Sequence, residues 1–256
     1  MTPDTTSLVF TILFGLAFGS FFNVCIHRIP RQLSLNRPGS RCPSCGYVLT
    51  WYDNIPVVSY AILGAKCRGC RRPISLRYPI VELVTCGIFV LHLFVFGLSP
   101  LFFVRLVFAS AMIVLFAIDL EHHLLPDIIT LPALAIGLGV SLFLPPGLRD
   151  AIVGSLLGGG VLWLIGEAYY RYAGQEGMGG GDVKMLAMIG AFLGWKLVLL
   201  TLVLSSLAGS LAGVAVIVGR RGDMKYALPY GTCLSLAALV ASLAGDRILA
   251  WYLSFT

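Results

Sequence analysis

Four of the seven cysteines occur as two C-x2-C pairs, Cys42 with Cys45 and Cys67 with Cys70, with 21 residues between the pairs. Each pair can place two thiolates on one tight turn, and two such turns complete a tetrahedral Zn–S4 site. A closed site leaves no position open for water, so we expect zinc to stabilise the segment and not to catalyse a reaction. Disulfide or redox pairs are the alternative, which a reducing cytoplasm disfavours.

Two of the twelve acidic residues stand in settings that suit acid–base chemistry. Asp119 ends an apolar run, and Asp182 directly follows the glycines Gly179 to Gly181. A carboxylate at the edge of a membrane helix is costly and is therefore a functional candidate. Glycines have no side chain, so a substrate strand or a neighbouring backbone can approach the carboxylate closely.

Two facing aspartates would share one proton, because like charges a few ångströms apart resist joint ionisation. The ionised member activates a water molecule, and the protonated member donates to the scissile carbonyl oxygen. The alternative is structural, with both aspartates capping helices at the water interface. Glu82, Asp127 and Glu167 are further candidates, and Asp127 is the main rival to Asp119 because both flank the same short loop.

The elements that must position these residues are membrane helices. Hydrophobic residues make up 58% of the 256 residues and charged residues only 12%, about half the charged fraction of an average soluble domain. Apolar segments lie at roughly 8–27, 79–97, 101–118, 127–144, 151–171, 183–194, 196–218 and 228–252. The predicted fold class is therefore an all-α polytopic membrane protein of about eight transmembrane helices, with a small zinc-stapled cytoplasmic loop domain.

One of these segments is too short to span a bilayer. At about 1.5 Å per residue, 183–194 falls short of a ~30 Å hydrocarbon core. We expect it to tilt, to continue into its neighbour around Gly194, or to lie inside the bundle. The small-residue pairs Gly15/Gly19, Gly154/Gly158 and Gly209/Gly213 are predicted to be helix-packing contacts.

Basic residues predict the orientation of the chain. Nine of the eighteen Lys and Arg lie between Arg28 and Arg77, and Arg220, Arg221 and Lys225 form a second cluster. Such clusters mark cytoplasmic loops, so the net charge of +6 indicates orientation and not a nucleic-acid partner. The predicted organisation is a first transmembrane helix at 1–27 with an extracytoplasmic N-terminus, a cytoplasmic zinc-binding domain at 28–78, and a membrane-embedded catalytic domain at 79–256.

Five motifs in order resemble the type IV prepilin peptidases, bacterial leader peptidases of the GxGD aspartic class. They are Gly19-Ser-Phe-Phe-Asn-Val-Cys-Ile-His-Arg-Ile-Pro30, the paired C-x2-C loop, Arg77-Tyr-Pro-Ile-Val-Glu82, Asp119 with Pro126-Asp127, and Gly177-Met-Gly-Gly-Gly-Asp182-Val-Lys184. The resemblance implies that Asp119 and Asp182 are the catalytic pair, with Gly179 and Gly181 as the motif glycines near the substrate. It also implies cleavage of prepilin or pseudopilin leaders at the cytoplasmic face of the bacterial inner membrane.

Many members of that family then methylate the new amino terminus with S-adenosylmethionine. The complete 28–78 insertion is what the bifunctional members carry, so the resemblance implies methyltransferase activity as well. One alternative is a peptidase without this activity, and another is a presenilin-like intramembrane protease, which would not be expected to carry the zinc loop. A transporter or zinc-dependent scaffold is the non-enzymatic alternative, and it predicts that pilin processing survives loss of either aspartate.

Overall fold

The structure, a computed structural model, describes residues 3–175, 179–219 and 229–255. In these ranges it is helical and contains no strand, which confirms the predicted all-α polytopic membrane fold. The helices are α1 Thr5–Arg28, α2 Val58–Ile62, α3 Arg77–Phe96, α4 Pro100–His122, α5 Asp127–Val140, α6 Leu148–Ala173, α7 Gly180–Gly219 and α8 Tyr230–Leu253.

Six of these helices are long and apolar enough to cross a membrane, namely α1, α3, α4, α6, α7 and α8. Helix α5 is apolar but has only 14 residues, which corresponds to about 21 Å. The two predicted segments 183–194 and 196–218 both lie in α7. Gly194 separates them with φ 79° and ψ 175°, a conformation that ends one helical stretch and begins the next.

The chain divides into two compact units, residues 1–102 and 103–256. In the first unit, α1 packs directly on α3. A Cβ at Gly15 would lie 2.8 Å from Cα of Cys86, and one at Gly19 would lie 2.6 Å from Cα of Glu82. This close approach of backbones is what the small-residue spacing predicts. The Asn23 amide also donates to the Tyr78 carbonyl at 3.1 Å.

In the second unit, α6 packs equally closely on the first part of α7. A Cβ at Gly154 would lie 2.7 Å from the Gly190 carbonyl oxygen, and one at Gly158 would lie 2.6 Å from that of Leu186. These contacts confirm that Gly154 and Gly158 pack helices together. Gly209 differs, because its nearest neighbour is a ring carbon of Tyr230 at 3.9 Å.

Two side chains, one in α4 and one in the residue after α5, donate hydrogen bonds to carbonyls at the end of the first part of α7. The buried Arg105 guanidinium of α4 donates to the Phe192 carbonyl at 3.2 Å. The Ser141 hydroxyl, just after α5, donates to the Ala191 carbonyl at 3.1 Å. Carbonyls at a helix end lack partners within the helix, so these donors stabilise the break before Gly194.

The α6–α7 contact predicts a specific effect on stability. In Gly190→Ala the new Cβ would collide with the Gly154 backbone, and overpacking of this kind costs about 1–3 kcal/mol. We expect a lower thermal unfolding midpoint in detergent than for the wild type. Gly160→Ala is the matched control, since a Cβ there meets nothing within 4 Å. Equal unfolding of Gly190→Ala and wild type would contradict the packing.

Candidate functional site

Asp119 lies in the last turn of α4 and is only 5% exposed. The helix ends at His122, and His123 follows with φ 51°, a left-handed conformation that commonly terminates helices. The chain then reverses toward Pro126, where α5 begins. This reversal returns Leu125 to the neighbourhood of the Asp119 carboxyl group.

The carboxyl group of Asp119 is bound by the first turn of α8. The Thr232 backbone N–H donates to Oδ2 of Asp119 at 2.8 Å. A Cβ at Gly231 would lie 2.8 Å from the same oxygen and 3.0 Å from Cδ2 of Leu125. Only glycine therefore leaves room for the carboxyl group beside this turn.

Asp182 lies in the first turn of α7. The Asp182 N–H donates to the Gly179 carbonyl at 3.1 Å. A Cβ at Gly181 would lie 2.9 Å from Cβ of Leu125. Gly177 and Met178, which open the predicted motif, lie outside the described residues.

Leu125 connects the surroundings of the two aspartates. Its side chain contacts Gly181, which precedes Asp182, and Gly231, which borders the Asp119 carboxyl group. The charge of Asp119 also acts on Asp182. The fold thus places both aspartates close to Leu125, where the end of α4 meets the starts of α7 and α8.

The other acidic candidates are engaged elsewhere. Asp127, at the start of α5, forms a salt bridge with Lys184 of α7 at 2.7 Å, and both side chains are exposed. Glu167 pairs with Arg171 one turn along α6, at an exposed position. Glu82 is buried in the first unit, where its Oε2 accepts from the Val57 N–H at 2.7 Å.

Sequence reasoning missed the first turn of α8. Pro229 is its N-cap residue, and the chain continues Tyr230-Gly231 before the last apolar run. A Pro and a Gly directly before an apolar segment indicate a helix start with an exposed backbone. That signal was available in the sequence, but it does not say which side chain the N–H groups contact.

The four predicted cysteine ligands form one cluster in the first unit, with all Sγ atoms within 4.8 Å of one another. Sγ of Cys42 lies 3.9 Å from that of Cys70, and Sγ of Cys45 lies 4.0 Å from that of Cys67. Tetrahedral zinc with Zn–S bonds near 2.3 Å places its sulfurs about 3.8 Å apart. The donor set and its spacing therefore fit a structural metal ion.

Two equivalent turns build this cluster. In the first, the Cys42 N–H donates to the Tyr47 carbonyl and the Gly46 N–H donates to the Cys42 carbonyl, each at 2.9 Å. In the second, the Cys67 N–H donates to the Arg72 carbonyl at 2.9 Å and the Arg71 N–H to the Cys67 carbonyl at 3.0 Å. The loop is thus a structural repeat, which reasoning from the sequence did not recognise.

Hydrogen bonds also shift the pKa values of the cysteine thiols in this cluster. Hydrogen bonds, the strongest from the Ser44 backbone, lower the pKa of the Cys42 thiol to about 6, which favours the thiolate form that binds metal. A hydrogen bond from the Tyr47 backbone lowers the pKa of Cys45, but burial and the neighbouring thiol of Cys70 outweigh it and raise that pKa to about 12. A bound cation would favour the thiolate at both positions.

An ion pair holds the second turn to the preceding 3₁₀ turn Trp51–Asn54. Arg68 bonds Oδ1 of Asp53 at 2.9 Å, and Thr50 donates to Oδ2 at 2.8 Å. Burial raises the pKa of Asp53, but the hydrogen bonds from Thr50 and Arg68 outweigh it and hold the pKa below its usual value. The Arg68 guanidinium also lies over the Tyr52 ring, 5.3 Å from its centroid.

Comparison with known proteins gives matches along nearly the whole chain. Residues 13–96 match the bacterial peptidase A24 N-terminal domain, and residues 106–214 match the type IV leader peptidase family. A prepilin leader peptidase/N-methyltransferase of Pseudomonas aeruginosa is 37% identical, over 96% of this chain and 93% of its own. One from Aeromonas hydrophila is 38% identical, over 97% and 93% respectively. No solved structure matches significantly.

Proposed function

The chain belongs to the type IV leader peptidase family, and we propose that it is a prepilin leader peptidase and N-methyltransferase of the bacterial inner membrane. Its substrates are type IV prepilins or pseudopilins, whose leader peptides it removes at the cytoplasmic face. The observation that carries the peptidase activity is the meeting of Asp119 and Asp182 around Leu125.

The two carboxyl groups hydrolyse the peptide bond with one shared proton. The ionised carboxylate takes a proton from water as the water oxygen attacks the scissile carbonyl carbon, and the other carboxyl group protonates the carbonyl oxygen. Collapse of the tetrahedral intermediate breaks the C–N bond, and the new amine receives the proton taken from water. The absence of a side chain at Gly179 and Gly181 lets the extended substrate approach Asp182.

The contacts of Asp127 support Asp119 as the partner of Asp182. Asp127 is exposed and paired with Lys184. Asp119 is buried beside Leu125 and Gly231. We assign to the Asp127–Lys184 pair the role of joining the starts of α5 and α7.

Asp119→Asn and Asp182→Asn should each lower the rate of leader cleavage by at least about 100-fold, because general acid–base catalysis contributes 10²–10⁴. Cleavage of a prepilin by purified protein measures this effect. Glu167→Gln is the matched control, since that exposed glutamate pairs only with Arg171 among the contacts described here. Near-normal turnover of either aspartate variant would refute the assignment, and selective loss in Asp127→Asn would move the site.

Zinc is the metal that we propose for the cysteine cluster. Cys42, Cys45, Cys67 and Cys70 supply four thiolates at tetrahedral spacing, and all four ligand positions are then taken by protein. When bound, the ion crosslinks the two turns of a loop that has too few apolar residues for a core of its own. It has no part in peptide hydrolysis.

Purified protein should contain about one zinc per chain, because four thiolates form one tetrahedral site. Cys67→Ser should lower the zinc content measured by elemental analysis and increase proteolysis within residues 28–78. Cys86→Ser lies outside the cluster and should leave zinc content unchanged. Zinc-free wild-type protein, or native Cys42–Cys45 and Cys67–Cys70 disulfides in mass spectrometry, would contradict this proposal.

S-adenosylmethionine is the methyl donor in the second reaction. Methyl transfer from its sulfonium requires a neutral amine aligned with the donor carbon, and positioning supplies most of the rate. This reaction needs no water-activating carboxylates. We propose that the 28–78 loop takes part in it and that residues 79–256 carry the peptidase activity. The basic loop 28–78 faces the cytoplasm and the N-terminus lies outside.

Asp119→Asn and Asp182→Asn should still methylate a pilin whose leader has already been removed. Disruption of the loop by Cys67→Ser should reduce methylation at least as strongly as cleavage. The measurement is transfer of labelled methyl from S-adenosylmethionine to processed pilin, beside a cleavage assay. If wild-type protein cleaves the leader but never labels the product, the methyltransferase assignment is wrong and the peptidase assignment stands.

A further inference from the structure

The position of Asp119 in the fold is electrostatically unfavourable for an anion. It lies in the last turn of α4, at the negative end of that helix dipole, and its side chain is buried. A buried carboxylate without partners is costly. Among the described residues, the Thr232 N–H, at 2.8 Å from Oδ2, is a donor that offsets part of this cost, and it comes from the positive end of α8.

We propose that the first turn of α8, residues 229–232, is a positioning element of the peptidase site that holds Asp119 as the ionised member of the pair. Asp119 is then the general base, and Asp182 is the general acid that protonates the carbonyl oxygen. This inference rests on the proposed function, since it presumes that both aspartates act in cleavage. Its new content is the division of roles and the part played by Gly231 and Thr232.

The geometry of the hydrogen bond supports this division. An N–H group aimed at a carboxylate oxygen stabilises the anion more than the neutral acid, because a charged oxygen is the stronger acceptor. With Oδ2 of Asp119 accepting from Thr232, Oδ1 is the oxygen that takes the proton from the attacking water. The remaining proton of the pair then resides on Asp182.

The turn itself is held rigidly enough to fix the carboxylate. The Tyr230 hydroxyl and the buried Ser205 hydroxyl of α7 lie 2.9 Å apart and share a hydrogen bond. The Thr232 hydroxyl donates to the Pro229 carbonyl at 2.6 Å. The Thr232 N–H is thus anchored from both sides of the turn, and positional errors of about 1 Å at a catalytic group can cost 100-fold in rate.

Gly231 provides the space that this arrangement needs. In Gly231→Ala the Cβ would lie 2.8 Å from Oδ2 and 3.0 Å from Cγ of Asp119. Both distances are shorter than ordinary contacts, and the short side chain of Asp119 is the group that must move. The substitution therefore displaces the carboxylate from the Thr232 N–H without removing any carboxyl group.

The test is the kinetics of Gly231→Ala on a prepilin peptide. We expect kcat to fall roughly 10- to 100-fold with KM changed less than about twofold, because the substrate-binding surface is intact. The acidic limb of the pH–kcat profile should move to higher pH, since an anion that loses its donor forms less readily. His123 of the loop and Asp182 of α7 carry charges that act on this site, and the Asp127–Lys184 ion pair lies at the starts of α5 and α7.

Two further variants distinguish the predicted effect on catalysis from a loss of activity caused by misfolding. Gly160→Ala adds the same methyl group where no atom lies within 4 Å and should behave as wild type. Tyr230→Phe removes the hydroxyl that bonds Ser205 and should lower kcat several-fold with KM unchanged. If Gly231→Ala does not fold, the profile of Tyr230→Phe decides, and an unshifted acidic limb overturns the proposal.

The aspartate variants separate failure of this inference from failure of the proposed function. An amide at position 182 can still donate to the carbonyl oxygen, whereas an amide at position 119 cannot accept the proton of water. Asp182→Asn should therefore keep more residual cleavage than Asp119→Asn. Equal or reversed residual rates overturn the division of roles alone. Wild-type cleavage by either variant overturns the peptidase assignment itself.

Discussion

The cost of burying a carboxylate between apolar helices is the constraint on which the second unit depends. In the part of the chain that the structure describes, Asp119 accepts from a backbone N–H of α8 and forms no ion pair. A lysine or arginine at the same distance would stabilise the anion so strongly that it would be a weak base. A helix end supplies a partial charge that lowers the cost and preserves reactivity.

This environment of Asp119 requires the end of α4 and the starts of α7 and α8 to lie close together. Small residues make that close approach possible. Gly231 leaves room for Asp119, and Gly181 leaves room for Leu125 between the two aspartates. The position of Asp182 in turn depends on the first part of α7. This part packs against Gly154 and Gly158 of α6 and ends before Gly194. A helix that ran straight through position 194 would bring a different stretch of α7 against α6, and the start of α7 would move.

Much of this structure follows from the sequence because apolar length and charge are local signals. Each of the eight predicted apolar segments overlaps an observed helix, although α5 ends at Val140, before the predicted end of its segment. The short segment 183–194 does continue into its neighbour at Gly194, one of the three expected outcomes. The cysteine pairs cluster because C-x2-C spacing itself dictates a tight turn. The meeting of Asp119 with Thr232 could not be predicted, because it joins residues 113 positions apart and depends on tertiary packing.

The partner of Glu82 likewise could not be predicted from the sequence. Sequence reasoning marked it as a membrane acid that needs a function, but its partner is the backbone of Val57 inside the loop. Val57 adopts φ 61°, a conformation that a β-branched residue rarely takes, and the bond to Glu82 helps to hold it there.

The loop therefore has two independent anchors, the cysteine cluster within it and Glu82 of α3 beneath it. Both anchors lie in residues 1–102, so the order of the loop does not require the carboxyl pair of residues 103–256.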